Sequence, residues 1–254
     1  MMIVILGPCT IQNFAHINET AKHINSYFNN SAQKIILRGG CWKPRTYVGY
    51  DQGLGEEGIP YLLQAAKYNN LAGICVEVMS EKHLEILAQY TKKNIPITVQ
   101  IGSRNMQNYS LLKELNNYSF YDNIVLKRGY GATVFETIGA RSYIQSDKVI
   151  LCERGIRTTS DSSRFTLDIA AIPILKEETG CKVIVDPSHA AGKTSLVSPL
   201  AKAGIAAGAD GLMIETMVTN SIYKSPCDAA QAYPIIKIPE LISDCISIDF
   251  YNKI

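Results

Sequence analysis

The chain has 254 residues, 46% of them hydrophobic and 19% charged, which is enough apolar material for one large core. A formal net charge of +2 excludes a chain-wide cationic surface for nucleic acid or a membrane, so any role for the basic residues is local. Seven irregularly spaced cysteines without a Cys-x-x-Cys pair argue against a disulfide framework, and the apolar run from Met1 to Leu6 is too short for a signal peptide or a span. The expectation is a cytoplasmic protein.

Short β-branched runs recur along the chain at Ile3–Leu6, Lys34–Leu37, Ile74–Val78, Ile97–Ile101, Asn123–Leu126, Val149–Cys152, Val183–Val185 and Leu212–Ile214. Runs of this kind suit strands buried on both faces of a parallel sheet. Between them, Ala15–Phe28, Ile59–Tyr68, Glu81–Lys93, Met106–Leu115, Ala132–Ile144, Leu167–Glu178 and Leu200–Ala207 carry apolar residues three and four apart, and Pro239–Ile248 supplies a closing helix. Pro239 suits a helix start, where its missing N–H costs nothing. Strict alternation of strand and helix predicts an α/β fold. Eight units in about 250 residues predict a closed (β/α)8 TIM barrel, read as one domain over residues 1–254.

The chemistry of such a barrel sits at the C-terminal ends of its strands. Those ends are polar here: Gly7-Pro8-Cys9, Arg38-Gly39-Gly40, Glu77, Gly102-Ser103-Arg104, Lys127-Arg128-Gly129, Glu153-Arg154-Gly155, Asp186-Pro187-Ser188-His189 and Glu215. One arginine after a strand is ordinarily solvated surface. Basic residues at the same end of the second, fourth, fifth and sixth strands converge on one mouth, where their repulsion needs anions to balance it. Lys43, Arg45 and Thr46 add to the loop after the second strand, followed by Gly49, Gly53, Gly55 and Gly58. Two groups of cations imply two anionic substrates, or one substrate with two anionic ends.

Cys9, His189 and Glu215 end neighbouring strands of the closed barrel, with Asp228 shortly after. Singly, Cys9 reads as a buried small residue, and His189 equally well as a catalytic base. Together, a thiol, an imidazole and two carboxylates suit a divalent transition metal. Gly192-Lys193-Thr194 is not the end of a phosphate-binding loop, because Pro187 stands where such a loop has its first glycine.

In order along the chain, Gly7-Pro8-Cys9, Leu37-Arg38-Gly39-Gly40, Lys43-Pro44-Arg45-Thr46, the run Gln52 to Gly58, the run Gln100 to Asn108, Leu126-Lys127-Arg128-Gly129, Cys152 to Thr158, Asp186-Pro187-Ser188-His189 and Gly208 to Glu215 resemble the 3-deoxy-D-arabino-heptulosonate 7-phosphate (DAHP) synthases. The likeness is to the compact Iβ branch of type I, without an appended regulatory domain, so weak or no feedback by aromatic amino acids is expected. The resemblance implies condensation of phosphoenolpyruvate with erythrose 4-phosphate, the first step of the shikimate pathway, by a homodimer or homotetramer. It implies that Arg38, Lys43, Arg104, Lys127 and Arg154 hold phosphoenolpyruvate, and that Arg45 and Thr46 hold the phosphate of erythrose 4-phosphate. It places the divalent metal (manganese, iron, zinc or cobalt) on Cys9, His189, Glu215 and Asp228. Lys43 is then the candidate acid for the nascent alkoxide and Glu77 the candidate for orienting water.

The sequence departs from the family at Tyr47, where a small residue is usual, and after Glu215, where Thr216-Met217-Val218-Thr219-Asn220 replaces the usual Val-His-Pro-Asp-Pro. Ser-Asp-Gly-Pro-Gln appears as Cys227-Asp228-Ala229-Ala230-Gln231, which makes Asp228 the weakest of the ligands. The rival reading is a 3-deoxy-D-manno-octulosonate 8-phosphate synthase acting on another aldose phosphate. Lys43-Pro44-Arg45-Thr46 argues against it, since those enzymes carry a Lys-Ala-Asn-Arg-Ser-type segment. A metal hydrolase on the same barrel would show His-x-His on the first strand, and a barrel that only binds a metabolite would not keep the full set of acid, metal and anion groups.

Overall fold

Parallel pairing in chain order joins β1 (Ile3–Gly7), β2 (Ile35–Arg38), β3 (Gly73–Val78), β4 (Ile97–Ile101), β5 (Asn123–Lys127), β6 (Val149–Glu153), β7 (Lys182–Val185) and β8 (Gly211–Met217). Strand β1 also pairs with β8, from Ile3 opposite Gly211 to Gly7 opposite Glu215, so the sheet closes on itself. This is the (β/α)8 barrel expected from the sequence. The computed structural model describes residues 1–44, 47, 49–90, 95–219, 221–223 and 229–252.

Around the barrel lie α1 (Phe14–Phe28), α2 (Gly58–Tyr68), α3 (Glu81–Ala88), α4 (Tyr109–Glu114), α5 (Val134–Ser142), α6 (Ala171–Thr179), α7 (Pro187–Ala191), α8 (Thr194–Ala206) and α9 (Ile238–Tyr251). None of the helices is long and apolar enough to cross a membrane among the described residues. Helix α4 begins later than its apolar spacing suggested, because the Asn108 side chain caps it by accepting from the Leu111 amide. Helix α8 begins six residues before its expected start at Leu200 and runs through Pro199, with Val197 and Ala201 buried on either side. Packing of that face outweighs the backbone bond that Pro199 cannot make. Two elements were not expected: the short α7 directly after β7, and a two-residue strand, β9 (Tyr233–Pro234), alongside β8.

Two apolar layers result. Most buried residues lie between the strands and the helices, whereas Ile5, Cys75, Val125, Ile150, Cys152, Ile184 and Met213 pack together as a separate cluster. Side chains on a strand repeat on one face every second residue. Two positions after Cys75, Val125, Ile184 and Met213 stand Glu77, Lys127, Asp186 and Glu215, and Arg38 likewise follows Ile36. The barrel interior is therefore apolar below and charged at the C-terminal mouth. Cys75 packs within this cluster, where burial pushes its thiol up to about 12.

Candidate active site

A cavity of about 650 Å³ opens at the charged end of the barrel, with Arg38, Lys43, Arg104, Lys127 and Arg154 in its wall beside Glu77 and His189. The five cations expected at the mouth thus share one space. Arg38, Lys43, Lys127 and Arg154 are buried, and Arg104 is exposed at the rim. Arg45, Thr46 and Asp228 lie outside the described residues.

Among the described residues, Nη1 of Arg38 and Nη1 of Arg154 are buried and find no hydrogen-bond partner. A buried guanidinium N–H without an acceptor is costly, so both mark places for ligand oxygens. Burial lowers the Arg154 pKa, with Asp186 acting the other way. At Arg38 burial is outweighed by Glu215, Cys9 and Asp186, and its pKa is raised. The Arg154 guanidinium lies 4.3 Å from the centre of the Phe165 ring, which leaves its edge available to the cavity.

Lys127 Nζ donates to Asp186 Oδ2 at 2.5 Å, with both side chains buried. The Asp186 carboxylate does three things. It accepts from Lys127, its Oδ1 caps α7 through the His189 amide at 3.0 Å, and its Oδ2 stands 2.7 Å from His189 Nδ1. Burial would raise its pKa, but His189 and Lys127 together hold it well below the usual carboxylate range. Replacing Lys127 with Met should therefore lower the unfolding free energy by about 3 kcal/mol, since it strands a buried charge. Urea denaturation at neutral pH measures this, and an unchanged midpoint would mean that His189 alone balances Asp186.

Neighbouring charged residues at the same strand ends do other work. Arg128 Nη1 bonds Glu153 Oε2 at 2.9 Å and Asp168 Oδ2 at 2.8 Å, while Glu153 Oε1 accepts from the Gly155 amide at 2.7 Å. This buried network ties the ends of β5 and β6 together and fixes the turn that carries Arg154.

Lys43 Nζ donates to Cys9 Sγ at 2.9 Å and to the Cys9 carbonyl at 3.0 Å. Glu77 Oε2 accepts from Gln100 Nε2 at 3.0 Å. A Cβ at Gly102 would lie 2.0 Å from Glu77 Oε1, so the glycine makes room for that carboxylate. Tyr47, the departure from the family pattern, is exposed and meets Tyr50 edge-on at 5.5 Å; Tyr50 in turn lines the cavity.

On the far side of His189, its Nε2 stands 3.8 Å from Glu215 Oε2. Glu215 Oε1 is buried and has no hydrogen-bond partner among the described residues. Burial and Cys9 push the Glu215 carboxyl well above the ordinary range against the pull of Arg38. A divalent cation would supply the missing partner. With Nδ1 held by Asp186, His189 presents Nε2 as its ligating atom, the usual arrangement for a metal-bound histidine. The Lys43 ammonium lies directly against Cys9 Sγ. Among the described residues no three such side chains already close around one point. The donors nevertheless fit a divalent transition metal held by Cys9, His189 and Glu215.

Sequence reading gave no site role to Gln100, Arg157 or Gln231, although each stands in a family-like motif, and missed Tyr130, Arg164 and Phe165; Gln231 bonds Glu215 and the others line the cavity. Arg157 and Arg164 stand in the long segment after β6, where nothing in the strand pattern singles them out.

The chain is similar to known proteins in sequence and fold. The model of the DAHP synthetase I family matches residues 1–244. A phospho-2-dehydro-3-deoxyheptonate aldolase of Thermotoga maritima is 38% identical over 245 residues, covering 95% of this chain and 68% of the relative. A 2-dehydro-3-deoxyphosphooctonate aldolase of Desulfosudis oleivorans is 29% identical over 262 residues, covering 97% of this chain and 90% of the relative. The crystal structure of the phospho-2-dehydro-3-deoxyheptonate aldolase (DAHP synthase) of Thermotoga maritima superposes with a TM-score of 0.84 at 35% identity, covering 97% of this chain and 68% of that one. A truncated form of 3-deoxy-D-arabino-heptulosonate 7-phosphate synthase from the same organism gives 0.80 at 32% identity, with 97% and 86% covered. The chain belongs to the DAHP synthetase I family.

Proposed function

We infer that the chain condenses phosphoenolpyruvate with erythrose 4-phosphate and water to give 3-deoxy-D-arabino-heptulosonate 7-phosphate and inorganic phosphate. The observation that carries this reading is the pair of buried guanidinium N–H groups of Arg38 and Arg154 that have no partner among the described residues, in the wall of one cavity with Lys127 and His189. A small, multiply charged phosphorylated acid satisfies both.

In this reading Arg38, Arg104, Lys127 and Arg154 hold phosphoenolpyruvate by its carboxylate and phosphate, and Arg45 and Thr46 hold the acceptor's phosphate. Cys9, His189, Glu215 and Asp228 hold a divalent metal. When bound, the cation supplies Lewis-acid polarisation of the aldehyde carbonyl. The enol carbon attacks that carbonyl and forms the new C–C bond, and Lys43 gives a proton to the alkoxide that results. Arg38 and Lys127 keep the carboxylate of the donor fixed as positive charge grows on its neighbouring carbon. Glu77, oriented by Gln100, positions the water that adds there. Cleavage of the C–O bond to phosphate then leaves the ketone, with the ketone oxygen taken from water.

The test measures phosphate release from phosphoenolpyruvate in the presence of manganese, with no acceptor, with erythrose 4-phosphate and with a five-carbon aldose phosphate. Release that depends on erythrose 4-phosphate is expected. Preference for the five-carbon acceptor would move the chain to the octulosonate reaction, and release without acceptor would make it a hydrolase.

A further inference from the structure

Gln231 belongs to neither substrate nor metal set, yet it is buried to 2% exposure between them. Its Nε2 donates to Glu215 Oε2 at 2.8 Å, and its Oε1 accepts from Arg164 Nη1 at 3.0 Å. These two neighbours fix which way the amide points. Flipped, it would set its NH2 against a guanidinium and its carbonyl against a carboxylate, losing both bonds. The segment is itself clamped, because Thr194 Oγ1 donates to the carbonyls on either side, Ala230 at 2.9 Å and Ala232 at 3.1 Å. The glycine-lysine-threonine run that is not a phosphate loop therefore has a structural use in its threonine.

The consequence falls on Glu215. One oxygen, Oε2, is held by Gln231, and the other, Oε1, has no partner among the described residues. The Glu215 amide is fixed by Ser188 Oγ at 3.0 Å. A carboxylate with one oxygen anchored and one bare is arranged to give a single lone pair to a cation. Arg164 stands in the cavity wall, so the same amide joins that wall to the carboxylate.

We propose that Gln231 is a positioning residue that aims Glu215 at the metal, and that Arg164 acts through it by fixing the orientation of its amide. The inference rests on the reading of Glu215 as a metal ligand. It is tested on the full chain stripped of metal, by titrating Mn²⁺ and measuring binding directly, alongside thermal melting of the metal-free protein. Gln231→Met keeps the length of the side chain and removes both bonds. It should weaken Mn²⁺ binding by about 10- to 100-fold, the usual cost of losing an outer partner of a ligand, with the metal-free melting temperature little changed. Arg164→Met, at an exposed position, should weaken Mn²⁺ binding by a smaller factor. The double variant should bind no worse than Gln231→Met alone, because the arginine has no path to the metal without the amide. Wild-type Mn²⁺ affinity in Gln231→Met, or additive losses in the double variant, would overturn the proposal; if Gln231→Met does not fold, unchanged affinity in Arg164→Met does so. Glu215→Ala separates the two levels. If it binds Mn²⁺ as the wild type does, the metal reading itself fails, whereas loss in Glu215→Ala with full affinity in Gln231→Met removes only the role of Gln231.

Discussion

Replacing Gly7 with Ala is expected to lower the unfolding free energy by about 4 kcal/mol or more, among the largest effects a single methyl group can have. Gly7 closes β1 with φ at +149°, a backbone conformation that side chains with a Cβ rarely adopt. A Cβ there would lie 2.1 Å from the Arg38 carbonyl oxygen and 3.0 Å from its carbon. Neither neighbour can yield cheaply. Arg38 is held in the β2–β3 ladder opposite Cys75, and Gly7 is held opposite Glu215 in the β1–β8 ladder. Any relief moves Arg38 or Glu215, so whatever folded fraction remains should also bind phosphoenolpyruvate and metal poorly. Gly139→Ala is the matched control. Gly139 lies within α5 and a Cβ there meets nothing, so the change should stabilise by about 0.5–1 kcal/mol. Urea denaturation of both variants decides the matter, and a Gly7→Ala midpoint equal to the wild type would show that the strand end tolerates a side chain.

The barrel was legible because its signal is repeated. Each strand is a short run buried on both faces, and the spacing between runs leaves room for one helix. The observed strands extend past the apolar runs mainly at their C-terminal ends, as β2 does to Arg38, β5 to Lys127 and β6 to Glu153. Polarity marks where the apolar interior stops, and hydrogen bonding continues beyond it. Arg38, Arg104, Lys127 and Arg154 were legible for the same reason, since the barrel assigns every strand end to one mouth, whereas Lys43 came from the loop after β2 and the family motif. Which of two adjacent charges faces inward was less evident, and a period of two decides it. Lys127 shares a face with Val125 and enters the cavity, whereas Arg128 turns outward to Glu153 and Asp168. What could not be read was anything carried by long segments without periodicity. Arg164 after β6, and the roles of Arg157 and Gln231 within their motifs, depend on segments that reach the site along a course set by tertiary contacts such as the Thr194 clamp.

Lys43→Met should reduce kcat by about 10²- to 10⁴-fold, the range expected for loss of a general acid. The structure makes this variant more informative than the sequence did, because Lys43 has a second partner. Its Nζ is bonded to Cys9 Sγ and to the Cys9 carbonyl while lining the cavity. Burial alone would lower its pKa, but Cys9 and Glu77 outweigh burial and the pKa is raised. Lys43 is therefore an ammonium at neutral pH. It can give a proton to an alkoxide, which is far more basic, and it sets a positive charge against the sulfur of a candidate metal ligand in the meantime. The two roles separate experimentally. Lys43→Arg keeps the positive charge beside Cys9 but offers a much weaker acid, so it should retain Mn²⁺ affinity while kcat stays low. Lys43→Met should lose both, with the kcat deficit persisting at saturating Mn²⁺. If saturating Mn²⁺ restores turnover in Lys43→Met, the residue serves only to hold Cys9, and the alkoxide takes its proton from another donor in the cavity.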